Sequence, residues 1–315
     1  MPELPEVETI ARGLAKRVVG DVVESVWLGQ KKEPLKSPAA AIAAALEQSR
    51  IDAVRRMGKH IVFDLSRVDG VERAPSTAKA RKQKKEPKGS RFTSTSDPSS
   101  AESDMGVRPT EPSARSKAQW IVHLGMTGSL RVCEPLTEVA KHTHAILKLA
   151  SGREVRFVDP RRFGRLSVAT STGFDATGVE PLEIDLEPFI ALFRGRKTPI
   201  KSALLNQKLL RGVGNIYADE SLFRAGLRPR RRASSITRDQ LAKLHGAVKE
   251  VLKEAIALGG SSISDYVGAE GEEGFFQLQH RVYGREGEPC LVCRTPIKRV
   301  VIAGRSSHYC PRCQK

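Results

Sequence analysis

The chain has 315 residues, which is long enough for two domains that each bury a core. Hydrophobic residues make up 39% of it, as in globular proteins, and no apolar run reaches the length of a membrane-spanning helix. The first residues contain neither a basic segment nor an apolar leader. We therefore expect a cytoplasmic protein with no secretory signal and no membrane partner.

The chain is strongly basic, with 53 Lys and Arg against 36 Asp and Glu and a formal net charge of +17. Residues 67–118 contain twelve basic and seven acidic residues, so they account for five of the seventeen charges. The remaining twelve lie in the rest of the chain, so the globular part is itself basic. This excess predicts a polyanionic partner, most naturally a nucleic acid, without deciding between binding and chemistry.

The first 170 residues predict a β-rich domain with flanking helices. A helix is expected to begin near Pro5, with Val7, Ile10 and Leu14 on one face, and an Ala-rich helix is expected over Pro38–Gln48. Six strands are predicted by β-branched and alternating segments: Val22–Leu28, Arg50–Arg56, His60–Leu65, Trp120–Leu124, His144–Leu149 and Glu154–Asp159. The fold class predicted here is α+β, with a mostly antiparallel β-sandwich as the N-terminal domain.

Residues 67–118 interrupt the strand pattern. They are rich in Ser, Thr, Pro, Lys and Arg and contain few large apolar side chains. Such a segment cannot bury enough surface to offset the entropy of ordering, so we predict a disordered basic insertion. A weak additional tether to DNA is the alternative interpretation.

Residues 171–185 are predicted to be a linker, and residues 186–289 a helical domain. Three helices are expected there: one from Thr198-Pro199 to about Asn206, one over Asn215–Ala225 closed by Gly226, and one opened by the capping box Thr237-x-x-Gln240 and ended by Gly259-Gly260. The Gly212-x-Gly214-Asn215 turn could bind a phosphate through backbone N–H groups, although a plain loop is the alternative.

Four cysteines lie in the last 26 residues, where Cys290-x2-Cys293 is separated by sixteen residues from Cys310-x2-Cys313. Two such pairs predict one structural Zn²⁺ in a zinc ribbon over residues 290–315, since four thiolates complete a tetrahedral shell. The residues between the pairs can form a hairpin, with Ala303-Gly304 at its turn. Its basic residues, Lys298, Arg299 and Arg305, could contact phosphate or form a solvated face.

The N-terminus could carry a nucleophile. Removal of Met1 would leave Pro2 with a free secondary amine, which is partly neutral at cellular pH because an α-amine has a pKa near 8. Glu3 beside it is a possible proton donor. The alternative is that Pro-x-x-Pro-Glu merely shapes the start of the helix.

Several stretches, in the same order along the chain, resemble the formamidopyrimidine-DNA glycosylase family. They span nearly the whole chain except residues 67–118, and they are Pro2–Thr9, Gly58-Lys59, His123–Leu130, Lys141–His144, Asp159–Gly164, Gly212–Ala218 and Ala303–Gln314. The resemblance implies base-excision repair: removal of oxidised purines such as 8-oxoguanine and formamidopyrimidines from duplex DNA, and cleavage of the abasic site by β,δ-elimination.

The same resemblance implies roles for individual residues. Pro2 would be the nucleophile and Schiff-base residue and Glu3 the general acid, while Lys59 would assist β-elimination and Arg305 δ-elimination. Three residues would fill the gap left by an extruded nucleotide: Met126, Arg161 and Phe163. Four would hold the DNA backbone: His142, Arg196, Lys201 and Asn215.

The family's helix–two-turn–helix element would correspond to helices 198–206 and 215–225, and Ser261–Phe276 to a mobile loop over the extruded base. We further expect a monomeric, nucleoid-associated bacterial enzyme. Leu4 favours the purine-specific branch over the oxidised-pyrimidine glycosylases of the endonuclease VIII type. A non-catalytic zinc-ribbon protein that recognises bent or damaged DNA is a further alternative, which Pro2-Glu3 and Lys59 oppose. A zinc-containing transcription factor is another, although no helix rich in base-contacting residues is evident in the sequence.

Overall fold

A computed structural model describes residues 1–31, 33–68, 117–170, 173–261 and 274–315. Within these ranges, the first half of the chain forms α1 (Leu4–Val18), β1 (Val22–Leu28), α2 (Ala39–Leu46), β2 (Ser49–Met57), β3 (His60–Arg67), β4 (Lys117–His123), β5 (Ser129–Cys133), β6 (Thr143–Leu149), β7 (Glu154–Val158) and β8 (Arg165–Thr170). The second half forms α3 (Leu186–Phe193), α4 (Ile200–Leu204), α5 (Asn215–Arg224), α6 (Arg238–Ala257), β9 (Lys298–Ile302) and β10 (Arg305–Tyr309).

Strands β1 to β8 form one antiparallel sheet in the order β5-β7-β6-β1-β2-β3-β4-β8. Its two four-stranded halves are joined between β1 and β2 by the pairs Val22–Arg50 and Val23–Ser49. Residues of both halves belong to one apolar core, and Phe157 of β7 is an example from the half that contains β1. The predicted α+β class with an antiparallel N-terminal domain is therefore confirmed.

Helices α3 to α6 enclose a second apolar core. Leu4, the first residue of α1, belongs to this second core, whereas Val7, Ile10 and Leu14 of the same helix belong to the core of the sheet. The Leu4 N–H also donates to the carbonyl of Gly212 at 3.0 Å. The start of α1 is thus fixed between the two cores, and this arrangement places Pro2 and Glu3 where the sheet and the helices meet.

Glu180 ties the β2–β3 turn to the helical part of the chain. Its Oε1 accepts from the backbone N–H of Gly58 at 2.8 Å, from Arg56 at 3.0 Å and from Nε of Arg211 at 2.9 Å. The side chains of Arg56 and Glu180 are each 7% exposed. Lys59 lies in this turn, directly after Gly58, so Glu180 helps to position it.

Several sequence predictions for the sheet domain need correction. Strand β3 continues to Arg67 and β4 begins at Lys117, so the predicted insertion 67–118 is too wide at both ends, and its residues 69–116 lie outside the described residues. Pairing between β3 and β4 extends the two strands because Ser66 and Lys117 are still partners in the ladder. Strands β5 and β8 were not predicted; each directly follows a glycine, Gly128 or Gly164.

The helix predicted from Thr198 is shorter than expected, and its N-cap is Pro199. The N–H groups of its first two residues donate outside the helix, from Ile200 to the carbonyl of Arg231 at 2.7 Å and from Lys201 to that of Pro229 at 3.3 Å. A neighbouring segment therefore replaces the predicted Thr198 cap.

Other local predictions for the helical part are confirmed. The capping box of Thr237 and Gln240 opens α6, and Gly226 follows α5 with φ +70°. No helix in the described ranges has the length and apolarity needed to cross a bilayer.

We predict that Glu180→Ala lowers the free energy of unfolding by about 2–3 kcal/mol, because the buried Arg56 guanidinium keeps only its second carboxylate partner, Glu8, while the Gly58 N–H and Nε of Arg211 lose their acceptor. Urea denaturation followed by tryptophan fluorescence would measure the loss. Glu187→Ala is the matched control, since Glu187 and Arg238 form an ion pair whose side chains are both 64% exposed. It should cost less than about 1 kcal/mol. Equal losses in the two variants would contradict the assignment.

Candidate active site and metal centre

Glu3 is a buried carboxyl at the junction of the two cores. It is the N-cap of α1 and is 5% exposed, and its Oε1 accepts from the backbone N–H of Ile216 at 3.2 Å. A Cβ on Gly214 would lie 2.0 Å from the Glu3 carboxyl carbon, so this approach requires glycine. Burial raises the pKa of Glu3 to about 7, although nearby Lys59 acts in the opposite direction.

Glu6 supports Glu3 from one turn further along α1. Its carboxyl accepts from the backbone N–H of Glu3 and of Ser261, both at 2.8 Å, and from the Tyr217 hydroxyl. Burial raises the pKa of Glu6 as well. Glu6 was not singled out in the sequence, although its position four residues before Ile10 on the apolar face could have indicated a buried role.

Lys59 and Arg305 lie near these carboxyls on different parts of the fold. Lys59 is 8% exposed, and burial lowers its pKa, with a smaller contribution in the same direction from Arg305. The charges of Glu3 and Glu6 raise the Lys59 pKa and so oppose the effect of burial. Arg305 is exposed and begins β10. The structure therefore brings Glu3, Lys59 and Arg305 into one electrostatic environment.

The four predicted cysteine ligands come together at the end of the chain, where their sulfur atoms all lie within 4.8 Å of one another. The Sγ atoms of Cys290 and Cys313 are 3.9 Å apart, and those of Cys293 and Cys310 are 3.4 Å apart. Tetrahedral Zn–S bonds of about 2.3 Å require sulfur separations of about 3.8 Å. The donor set and its geometry therefore fit one structural zinc ion.

Strands β9 and β10 form the hairpin between the two cysteine pairs, with Ala303 and Gly304 at its turn as predicted. The hairpin is held against α5 by Asp219, which is buried. Its Oδ2 accepts from the backbone N–H of His308 at 2.9 Å, and Nδ2 of Asn215 donates to Oγ of Ser306 at 3.3 Å. Asp219 was not singled out in the sequence.

Lys201 differs most from its expected role. It is fully buried, forms a 2.7 Å ion pair with Asp219, and donates to the carbonyl of Ser306 at 2.7 Å. Its ammonium group therefore holds the hairpin in place and presents no exposed surface to a phosphate. The other three expected backbone-binding residues, His142, Arg196 and Asn215, are at least partly exposed.

The three residues expected to fill the space of an extruded nucleotide lie at the surface. Met126 is 43% exposed and Phe163 is 52% exposed. The Arg161 guanidinium carbon lies 5.1 Å from the centre of the Phe163 ring, within cation–π distance. The predicted loop Ser261–Phe276 lies mostly outside the described residues, since positions 262–273 are not described.

Three family models match the chain in sequence order: the formamidopyrimidine-DNA glycosylase N-terminal domain over residues 1–166, the H2TH domain of the same proteins over 177–267, and a zinc finger found in FPG and IleRS over 287–315. The chain belongs to the formamidopyrimidine-DNA glycosylase family. It is accordingly a DNA glycosylase with a C-terminal zinc finger.

Relatives named formamidopyrimidine-DNA glycosylase match the chain throughout. The protein from Solibacter usitatus is 41% identical and that from Variovorax paradoxus 37% identical, each over the full length of both proteins. The crystal structure of the MutM (Fpg) protein from Thermus thermophilus has a TM-score of 0.75 and 36% identity, covering 99% of this chain and 98% of that one. A Lactococcus lactis FPG mutant in complex with a DNA that contains Fapy-dG has a TM-score of 0.79 and 28% identity over the full length of both chains.

We predict that Cys310→Ser loses its bound zinc and that the β9–β10 hairpin loses its order, because three thiolates no longer close the metal's coordination shell. Elemental analysis of the purified protein would give the zinc content, and amide hydrogen exchange over residues 290–315 would report the order of the hairpin. Cys133→Ser is the matched control, since Cys133 lies in β5, outside the cysteine cluster. Full zinc content in Cys310→Ser would contradict the site.

Proposed function

We propose that this glycosylase removes oxidised purines from duplex DNA in base-excision repair and then cleaves the strand at the abasic site through Pro2. The observation that carries the proposal is the buried Glu3 carboxyl beside Pro2, whose pKa of about 7 suits proton transfer at neutral pH. Similar proteins support the substrate class, since Lactococcus lactis Fpg forms complexes with DNA that contains Fapy-dG or an abasic site.

Pro2 would act as the nucleophile after Met1 is removed. Its secondary amine would attack C1′ of the damaged nucleotide as the bond from C1′ to the base nitrogen breaks. The proton that the amine nitrogen loses passes to O4′ as the C1′–O4′ bond breaks and the sugar ring opens, and the nitrogen lone pair then forms an iminium ion that links Pro2 to the deoxyribose. Glu3, protonated for about half of the molecules at pH 7, would supply the proton that the departing base requires.

Lys59 and Arg305 would serve the later steps. Lys59 is buried and burial lowers its pKa, so it loses its proton more readily than an exposed lysine would; it would assist β-elimination, in which the C2′ proton is removed and the 3′ phosphate departs. Arg305 is exposed at the start of β10, where a guanidinium can stabilise the phosphate that leaves in δ-elimination. The zinc ion would supply structure alone, by fixing the hairpin that carries Arg305.

The DNA duplex would be held by exposed polar and basic residues around this centre. His142, Arg196 and Asn215 are the proposed backbone contacts, while Lys201 would act indirectly by fixing the hairpin. The exposed group of Met126, Arg161 and Phe163 would occupy the space of the extruded nucleotide, because apolar and guanidinium groups can replace lost base stacking.

We predict that borohydride reduction during reaction with an 8-oxoguanine:cytosine duplex traps a covalent protein–DNA adduct. The adduct should be absent when one additional residue is retained before Pro2, because the amine then becomes an amide and is no longer nucleophilic. This control leaves the Pro2 ring in the sequence, unlike Pro2→Gly, which should be tested in parallel. Denaturing gel electrophoresis would separate the adduct from free DNA.

Mass spectrometry must show that Met1 is absent from the wild-type protein. A wild-type protein that binds the duplex without adduct or cleavage would favour the non-catalytic alternative. Cleavage of a thymine-glycol duplex in preference to 8-oxoguanine would favour an oxidised-pyrimidine glycosylase, and one related Lactococcus structure contains DNA with an oxidised pyrimidine.

We predict that base excision declines with rising pH relative to cleavage of a preformed abasic site. Glu3 is protonated below its pKa of about 7 and loses the proton above it, so the acid-dependent step should slow about tenfold per pH unit at higher pH. A preformed abasic site has no base to protonate and serves as the internal reference. Single-turnover rates between pH 6 and pH 9 would give the ratio, and a constant ratio would argue against Glu3 as the acid.

A further inference from the structure

Two surface loops carry the residues that would replace an extruded nucleotide. The first, called here the Met126 loop, covers residues 124–128 between β4 and β5. The second, called the Phe163 loop, covers residues 159–164 between β7 and β8 and also carries Arg161. The tips of both loops are exposed, although the loops are far apart in sequence.

The buried Asp159 carboxylate accepts hydrogen bonds from both loops. Asp159 is 0% exposed, and its Oδ1 accepts from the Thr127 hydroxyl at 2.7 Å and from the backbone N–H of Arg161 at 3.3 Å. Its Oδ2 accepts from the backbone N–H of Gly164 at 2.7 Å. One buried carboxylate therefore binds a side chain of the Met126 loop and two backbone groups of the Phe163 loop.

The loops also touch through their backbones. A Cβ on Gly125 would lie 2.5 Å from the carbonyl carbon of Phe163, and one on Gly164 would lie 2.5 Å from the Phe157 ring. The Met126 loop is closed by a hydrogen bond from Gly128 N–H to the Leu124 carbonyl at 2.9 Å. Close contact of this kind leaves little room for either loop to shift independently.

The start of the Met126 loop is fixed as well. The Gly125 N–H donates to Nδ1 of His123 at 3.1 Å, and burial together with neighbouring positive charges lowers the pKa of His123 to about 4. The imidazole is therefore neutral at physiological pH, which leaves this nitrogen able to accept a hydrogen bond. Asp159 and His123 thus fix the two ends of one preformed surface.

We propose that Asp159 is a positioning residue for lesion recognition: through the Thr127 hydroxyl it holds the Met126 and Phe163 loops together before DNA binds. The inference rests on the proposed function, because it assigns these loops to the space left by an extruded nucleotide. A surface that is ordered in advance needs no ordering when the nucleotide leaves the duplex, so extrusion becomes more favourable.

The proposal is tested by substituting Thr127 and not Asp159. Replacing the fully buried Asp159 would leave several donors without an acceptor and risks misfolding. Thr127→Val removes the hydroxyl while keeping the shape of the side chain, whereas Thr127→Ser keeps the hydroxyl and removes a methyl group. Loss of a hydrogen bond to a charged group should lower single-turnover excision from an 8-oxoguanine:cytosine duplex about tenfold in Thr127→Val. Thr127→Ser should stay close to the wild type.

Two further measurements separate positioning from a general structural effect. A single-stranded abasic oligonucleotide has no opposite base to stabilise, so all three proteins should cleave it at similar rates. In a duplex with 2-aminopurine opposite an uncleavable abasic analogue, the wild type and Thr127→Ser should raise the fluorescence by unstacking the probe. Thr127→Val should raise it less at saturating protein.

The proposal is overturned if Thr127→Val matches the wild type in duplex excision and fluorescence, or if its single-strand cleavage falls as much as its duplex excision. The fluorescence experiment does not depend on catalysis, because the abasic analogue in the duplex is uncleavable. If the wild type binds and raises fluorescence but cleaves nothing, the catalytic part of the proposed function fails. The comparison of Thr127→Val with Thr127→Ser in fluorescence then still decides the positioning role.

Discussion

The site depends on the insertion of the N-terminal end of α1 between two apolar cores. Leu4 packs in the helical core, while the next turns of the same helix pack in the core of the sheet. This anchorage carries Glu3 and Glu6 out of water, and desolvation raises the pKa of both carboxyls. The burial of Leu4 thus fixes the position of Glu3 and Glu6, and that position raises the pKa of both carboxyls.

Five buried acidic residues have a common task in this basic protein. Each accepts hydrogen bonds from backbone N–H groups of a segment that carries or adjoins the site. The acceptors and the residues whose N–H groups donate to them are Glu6 with Glu3 and Ser261, Asp159 with Arg161 and Gly164, Glu180 with Gly58, Asp219 with His308, and Glu220 with Arg281, Val282 and Tyr283. Charge-assisted bonds of this kind are stronger than neutral ones. These buried carboxylates thereby hold in place the segments of the basic surface that is expected to face DNA.

Sequence patterns predicted the antiparallel fold, the capping box of α6 and the cysteine cluster, because each depends on local periodicity or short spacing. The buried acids escaped prediction since their partners lie far away in sequence, as with Glu6 and Ser261. Lys201 is a second case in which contacts between residues distant in sequence could not be predicted. The family resemblance implied that Lys201 holds the DNA backbone, whereas in the structure it is fully buried and binds Asp219 and Ser306.

The ladder between β3 and β4 has one end beside the residues assigned to the site. His60 pairs with His123 at one end of this ladder, next to Lys59 and the Met126 loop, while Ser66 pairs with Lys117 at the other. Six residue steps at about 3.4 Å each put the two ends roughly 20 Å apart. The Ser66–Lys117 end of this ladder is therefore a natural place to graft a reporter or an affinity domain at a distance from Lys59 and the Met126 loop.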